Sequence, residues 1–377
     1  VLKAVPSDLP VLVTARQVYT TPQTVLRLPG LDADAAWDLL QAQAPQQATN
    51  RADSDALAAK LGYLAFGVEL SGVQMRLNSW SIRDLLDNVD LYEMRDATGT
   101  PGRESIAALI EVSLNTLSDE ARAAYWSCGA FWSRRVTPEL LATYEALSQP
   151  DAATDAPTSP ANPVGTPDGA SDTEPPANPV GTPDGASDTE PPDTTTAFNL
   201  LSELARNGLG QFYGTTDAST AHLELEDIAQ QYAQSKVTTA QHDRALDACL
   251  RILKRYDTPS HENFAALRPL LEAMLGAQGH AEARGRPADV ERFAWGLYMG
   301  SQFTDYQGYY REALTLLGRA IEAADQTTNA RNRAAHRIHR GSCHADLGDM
   351  QAAIAAHQRA LAIGLEAANK EIQGNAL

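Results

Sequence analysis

The chain has 377 residues, of which 43% are hydrophobic, and its formal net charge is −18 at pH 7. This negative charge repels phosphate backbones and argues against non-specific binding of nucleic acids. The three cysteines are too few and too far apart for a disulfide framework or a zinc site, which favours the reducing cytoplasm. The sequence has no apolar run of about 18 residues, so we expect no membrane partner.

The first predicted element is a buried strand at residues 9–15, LPVLVTA, which is almost wholly apolar. Strands of this kind belong to parallel sheets that are covered on both faces. One strand cannot form such a sheet, so its neighbours must be absent or supplied elsewhere. Because the chain also opens on Val1 rather than Met, the sequence predicts a fragment or a processed product.

Apolar residues at helical spacing predict a series of helices between residues 32 and 147. One apolar stripe, formed by Leu57, Leu61, Leu64 and Val68, runs through the stretch DSDALAAKLGYLAFGVELSGVQMRL. The predicted N-terminal caps, in chain order, are Asp53 or Ser54, Ser79 or Ser81, Ser118, and Thr137, which precedes Pro138.

A low-complexity tract interrupts these helices. The 16-residue sequence ANPVGTPDGASDTEPP occurs twice without change, at 161–176 and 177–192, and residues 151–196 contain nine acidic and no basic residues. Proline, glycine and acidic residues bury too little apolar surface to offset the entropy of ordering, so we expect disorder. A flexible tether or a docking strip is the functional alternative.

The pattern after the tract predicts helix, hairpin and helix over residues 197–234, with two short strands around TTDAST. This is the order in which a winged helix domain ends. From Thr238 onward every segment is predicted to be helical. Three small residues there recur at an interval of 40, and the pairs are Gly308 with Gly348, Ala313 with Ala353, and Ala320 with Ala360.

Four stretches in this order resemble the NB-ARC subgroup of signal-transduction (STAND) ATPases, bacterial relatives of plant disease-resistance and animal apoptosome proteins. They are VLVTAR (11–16), LPGLDADAAWDLL (28–40), LGYLAFGVELSG (61–72) and AHLELEDIAQQYA (221–233). They match the family's sensor strand, the first helix of its helical subdomain, its Gly-Leu-Pro-Leu motif and its Met-His-Asp motif. The 40-residue repeat looks like tetratricopeptide repeats (TPRs) with long connectors, and the array is expected to be truncated.

The resemblance implies a mainly α fold in four parts. Residues 1–22 are expected to end an α/β nucleotide-binding core, and residues 23–98 to form a helical subdomain. Residues 99–235 are expected to form a winged helix domain interrupted by the disordered insert 150–196. Residues 236–377 are expected to form a TPR-like α-solenoid. The insert is therefore predicted to lie inside one domain, with its two flanks packed together.

The resemblance also implies a nucleotide site. In the full-length parent, ADP or ATP is expected to bind together with Mg. The residues of this chain that the resemblance assigns to nucleotide binding are Thr14, Arg16, Leu64, Ala65, Glu226 and Asp227. Arg16 would be the γ-phosphate sensor, since a guanidinium offers a rigid fork to phosphate oxygens. Both residues also have a plainer interpretation. Arg16 could be an exposed arginine that follows a strand, and Asp227 could be a helix cap.

Several positions depart from the family motifs. Tyr63, Ala65 and Phe66 replace the glycine, proline and second leucine of the second motif, and Glu226 replaces the histidine of the last. A carboxylate at Glu226 is unfavourable beside a polyphosphate without a cation. The sequence also contains no G-x-x-x-x-G-K-[ST] P-loop, which we expect to precede Val1 in the parent. This chain alone is therefore expected to be inactive and to bind nucleotide weakly.

Two functions remain open at this stage. One is a cytoplasmic NTPase switch in which a partner or ligand binds the repeats, the winged helix releases ADP, and protomers oligomerise. The other is a non-enzymatic TPR scaffold with a degenerate nucleotide site. DNA binding is unlikely on sequence grounds, because ELARNGLGQFYG carries a single arginine. His336, His339 and His344, with Cys343 and Asp346, match no metal-site spacing, so no metal or catalytic residue is assigned.

Overall fold

The computed structural model describes residues 30–88, 103–148, 193–214, 220–327 and 329–377. The predicted strand at 9–15, Thr14 and Arg16 lie outside the described residues, as does nearly all of the insert 150–196. The described part is mainly helical, with one small sheet. No helix within these ranges is both long and apolar enough to cross a membrane.

Four helices form the first packed unit, and in chain order they are α1 (Ala33–Gln43), α2 (Arg51–Lys60), α3 (Ala65–Asn78) and α4 (Ile82–Asn88). The side chain of Asn50 caps α2 by accepting hydrogen bonds from the amides of Ala52 and Asp53. The prediction of Asp53 or Ser54 as the cap was therefore wrong, and Ser54 is buried inside the helix. The side-chain oxygen of asparagine accepts hydrogen bonds from the free amides at the start of a helix as well as that of aspartate or serine does. The helix therefore begins directly after Asn50, earlier than predicted.

The helices α2 and α3 are separate, although the apolar stripe predicted continuity between them. Gly62 and Tyr63 adopt left-handed conformations with φ of 60° and 56°, which ends α2. The amide of Leu31 donates to the carbonyl of Tyr63 at 2.8 Å, which fixes the turn against the start of α1. After this turn α3 runs through the core. It packs against α1 on one side and against the next helix of the chain, Arg103–Asn115, on the other.

The second unit surrounds the sheet. Its elements are α5 (Arg103–Asn115), α6 (Asp119–Gly129), β1 (Arg135–Val136), α7 (Pro138–Ala146), α8 (Thr195–Arg206), β2 (Gly210–Tyr213), β3 (His222–Leu225) and α9 (Asp227–Gln234). Ser118 and Thr137 cap α6 and α7 as predicted. The strands are antiparallel in the order β1-β3-β2, and buried Leu223 lies opposite both Val136 and Phe212.

Elements from both sides of residues 149–192 share one core. The helix α7 precedes this segment and packs against α8, which follows it. The strand β1 likewise precedes the segment and pairs with β3 beyond it. Buried Leu140 and Tyr144 of α7 belong to the same apolar cluster as Leu201 and Leu204 of α8. The two flanks therefore pack together, as expected.

Deletion of residues 155–192 should change the free energy of unfolding by less than about 2 kcal/mol, with a slight gain from the shorter connection. The reason is that α7 and α8 already contact each other without help from the deleted residues. Urea unfolding of the deleted and full-length chains tests this expectation. A loss of several kcal/mol, or separate unfolding of the two flanks, would contradict it.

The remaining residues form helices connected by short turns. They are α10 (Thr239–Arg255), α11 (His261–Leu267), α12 (Leu271–Ala283), α13 (Pro287–Ala294), α14 (Phe303–Tyr306), α15 (Tyr310–Asp325), α16 (Ala330–Asp346), α17 (Met350–Glu366) and α18 (Lys370–Ala376). A 3₁₀ turn (Arg268–Leu270) precedes α12, and a π-helical segment (Trp295–Gly300) follows α13. The prediction of helices throughout this region is confirmed for the residues described.

The residues matched by the 40-residue repeat have equivalent environments. Gly308 and Gly348 have φ of 72° and 79°, and each lies just before a long helix, α15 or α17. Glycine adopts this conformation without the steric cost that a side chain adds. The matched alanines Ala313 and Ala353, and likewise Ala320 and Ala360, are all buried.

Candidate functional site

A cleft of about 420 Å³ lies between the first helical unit and the sheet. The helix α3 forms one wall and contributes Phe66, Glu69 and Arg76. The opposite wall is the end of α8 with the start of β2, including Arg206. Glu226 closes the cleft from the junction of β3 and α9. We call this space the α3 cleft.

Two glycines allow the walls of the α3 cleft to approach each other. Gly208 ends α8 with φ of 78°, and a Cβ there would lie 3.1 Å from Leu70 and 3.3 Å from Val73 of α3. A Cβ on Gly210 would lie 2.5 Å from the carbonyl oxygen of Glu224, inside the strand pair. Larger residues would push the turn away from α3, so the shape of the cleft depends on these positions.

Glu226 is held in place by its backbone and leaves its carboxylate available. It is the N-cap residue of α9, but its side chain makes no capping hydrogen bond. Its amide donates to the carbonyl of Leu209 at 3.1 Å. Burial, with a further contribution from the nearby carboxylate of Glu69, raises the pKa of Glu226 above its ordinary value, and Arg134 opposes this shift. A carboxylate in this position disfavours a second negative charge beside it.

Positive charge in the α3 cleft comes from Arg76 and Arg206. Arg76 donates to the backbone carbonyl of Gln43 at 3.0 Å, which holds its guanidinium at the cleft wall. Arg206 is exposed and makes no hydrogen bond or ion pair with any residue in the described ranges. Two guanidinium groups, two carboxylates and the ring of Phe66 therefore face one space. They can bind an anionic ligand that carries a planar apolar part, provided that its charge lies nearer the arginines.

The predicted nucleotide residues are only partly brought together. Leu64 is the N-cap residue of α3 and Ala65 its first residue, and the cleft wall begins one residue later, at Phe66. Asp227 is the first residue of α9 and accepts a hydrogen bond from Gln231 at 2.9 Å. The interpretation of Asp227 as the helix cap was wrong, because Glu226 occupies the N-cap position.

Sequence reasoning missed the polar residues that line the rest of the cleft. Glu69 and Arg76 lie two helical turns apart on α3, a spacing that places them on one face. Arg206 lies at the end of a strongly amphipathic helix, where basic residues are common. Nothing in the local pattern of either helix indicates which partner it faces. Only the tertiary packing of α3 against the α8–β2 turn identifies these side chains.

The C-terminal histidines lie against other side chains. His336 is buried, and its Nε2 lies 3.3 Å from the carboxylate of Glu291. Burial, with neighbouring His336 and His357, lowers the pKa of His339 to about 4. Burial also raises the pKa of Cys343, whose thiol interacts with Tyr298. Among the residues described, no group of three or more His, Cys, Asp or Glu is arranged to hold a metal ion.

The chain was compared with models of known families, with curated proteins and with solved structures. None of the three comparisons found a significant match.

Proposed function

We propose that this chain is part of a signal-transducing NTPase switch of the NB-ARC type, in which the α3 cleft faces ADP. The observation that carries the proposal is the position of Phe66 and Glu226. They belong to the two stretches that resemble nucleotide-contacting motifs, are far apart in sequence, and line the same cleft. Their convergence on one cavity supports the proposal.

The backbone of Tyr63 gives further support. This residue stands where the family motif has glycine, and its φ of 56° is a conformation that glycine adopts without strain. A non-glycine residue pays about 1–2 kcal/mol for it. The family motif has a glycine where this chain has Tyr63, and a left-handed turn favours glycine. The backbone at Tyr63 therefore agrees with the alignment of this stretch to the motif.

The order of elements in the second unit also supports the proposal. Helix, strand, two helices and a hairpin, with the first strand beside the last, form the arrangement expected of a winged helix. In the proposed switch this unit is a moving clamp, and Glu226 lies at the N-cap of α9. The contacting helices α14–α15 and α16–α17, with their matched glycines, are the proposed TPR-like sensor.

The cleft fits ADP in part. Arg76 and Arg206 are groups that hold phosphate oxygens, and Phe66 is a group that packs against a base. Glu69 and Glu226 oppose a diphosphate at their end of the cleft. The 377 residues contain no P-loop, so clamping and sensing, and not ATP hydrolysis, are the roles proposed for them.

The carboxylates favour one alternative, a non-enzymatic helical scaffold whose nucleotide site has degenerated. Glu226 stands where the family has a phosphate-contacting histidine, and its raised pKa shows that it already lies in an unfavourable environment for charge. In this alternative the α3 cleft has no nucleotide role, and the C-terminal helices alone carry the function.

Substitution Glu226→His distinguishes the two proposals. If the chain is part of the switch, the wild-type protein should bind ADP weakly. Glu226→His should tighten binding about tenfold, because a carboxylate that repels phosphate is replaced by an imidazole that can donate a hydrogen bond to it. Titration with a fluorescent ADP analogue at low ionic strength measures this change. The matched control is Glu226→Gln, which removes the charge without adding a cation and should have a smaller effect. Equal, undetectable binding by all three chains would favour the scaffold.

A further inference from the structure

A basic groove of about 160 Å³ lies between α15, α16 and α17, on the C-terminal side of the molecule. Arg337, Arg340 and His344 line it from α16, at positions that share one helix face. Arg359 reaches it from α17. Ile321 of α15 and three alanines of α17 supply its apolar surface. The groove is therefore cationic along its sides and apolar between them.

Two of these arginines are free to bind a ligand. Arg340 and Arg359 make no hydrogen bond or ion pair with any residue that the structure describes. Arg337, in contrast, is held by the carboxylate of Asp325 at 2.6 Å. His344 lies 3.8 Å from Asp349. The unpaired charge is thus concentrated at two arginines that line the groove, one from α16 and one from α17.

This charge stands out against the rest of the chain. Residues 330–377 contain six Arg or Lys and four Asp or Glu, a formal charge of +2, whereas residues 1–329 carry −20. An acidic protein that keeps unpaired arginines in a groove attracts anions to that place and repels them elsewhere. Arginine forks bind carboxylates with two parallel hydrogen bonds, which adds geometric selectivity.

We propose that the basic groove binds an acidic segment of a partner protein. Its Asp or Glu residues would pair with Arg340 and Arg359, and its apolar side chains would lie on Ile321 and the alanines. Nucleic acid is a poorer occupant, because the surrounding negative charge repels a long phosphate backbone. The proposal rests on the proposed sensor role of these helices and specifies its partner, but it does not depend on nucleotide binding in the α3 cleft.

The test is binding of a fluorescein-labelled peptide of alternating Glu and Leu, about 12 residues long, to the full 377-residue chain by fluorescence anisotropy. We expect binding at about 50 mM salt that weakens at least fivefold at about 300 mM. Substitution Arg340→Ala with Arg359→Ala should weaken it about tenfold or more. The Lys pair, Arg340→Lys with Arg359→Lys, keeps the charge but loses the fork, so it should bind more tightly than the Ala pair and more weakly than the unsubstituted chain.

The matched control is Arg251→Ala with Arg311→Ala, which removes two exposed arginines outside the groove and should leave peptide binding unchanged. Three outcomes would overturn the proposal. One is no loss in the Arg340 and Arg359 double variant, and another is equal binding of a peptide with Gln in place of Glu. The third is much tighter binding after deletion of residues 155–192, since the chain's own acidic tract would then be the occupant. A failed ADP titration leaves these results unaffected.

Discussion

The Glu139→Ala variant should lose about 3–5 kcal/mol of folding free energy, because it leaves the buried guanidinium of Arg255 without its counter-charge. Glu139 lies on α7 and joins it to α10. One carboxylate oxygen accepts a hydrogen bond from Arg255, and the other accepts one from the hydroxyl of Tyr256 at 2.6 Å. The side chains of Arg255 and Glu139 are only 14% and 12% exposed, so water replaces the lost partner poorly.

Equilibrium urea unfolding with far-UV circular dichroism measures this loss. The double variant Glu139→Leu with Arg255→Met removes both charges and should be more stable than Glu139→Ala, because no buried charge then remains alone. Glu139→Gln keeps the shape of the side chain and tests the charge by itself. A loss below about 1 kcal/mol in Glu139→Ala would show that the pair behaves as an exposed one.

The Gly276→Val variant should lose about 3 kcal/mol or more, since the site has no room for a side chain. Gly276 lies on α12, and a Cβ there would be 2.0 Å from the Cβ of Trp132 and 2.5 Å from its Cγ. The indole of Trp132 also contacts the rings of His242 and His280, with ring centroids 5.3 Å away in both cases. Displacing it would loosen the contact between the sheet unit and the C-terminal helices.

The matched control for this substitution is Gly318→Val. Gly318 is also inside a helix, α15, but no neighbouring atom lies within 4 Å of a Cβ placed there. Valine should therefore change the stability by less than about 1 kcal/mol, because its helix propensity is only slightly better than that of glycine. Thermal unfolding of both variants checks the contrast. Equal effects at the two positions would mean that helix propensity, and not the contact with Trp132, determines the cost.

Local patterns predicted most of the helices and some of their caps. Ser118 and Thr137 have the side-chain oxygen and the following acidic or proline residue that begin a helix, and both are caps. The strand β1 was missed because two residues, Arg135 and Val136, are too few to show alternation. The break at Tyr63 was missed because a tyrosine gives no sign of a left-handed turn.

The candidate site was less predictable, since it depends on contacts between distant elements. The motif resemblance indicated Glu226, and the structure places that residue in the α3 cleft. Arg206 gave no comparable signal, because an arginine at the end of a helix is usually only a favourable partner for the helix dipole. Its position opposite α3 follows from the turn at Gly208, where a side chain would meet Leu70.

The central claim is that the α3 cleft faces nucleotide, and photolabelling with 2-azido-ADP tests it most directly. The 377-residue chain is irradiated with the probe at about millimolar concentration, the range in which weak binding is detectable, and labelled peptides are mapped by mass spectrometry. We expect labels within residues 66–76 or 206–227, suppressed by excess ADP and reduced in Arg206→Ala. Labels confined to the basic groove at Arg340 and Arg359, or labels that excess ADP does not suppress, would contradict it.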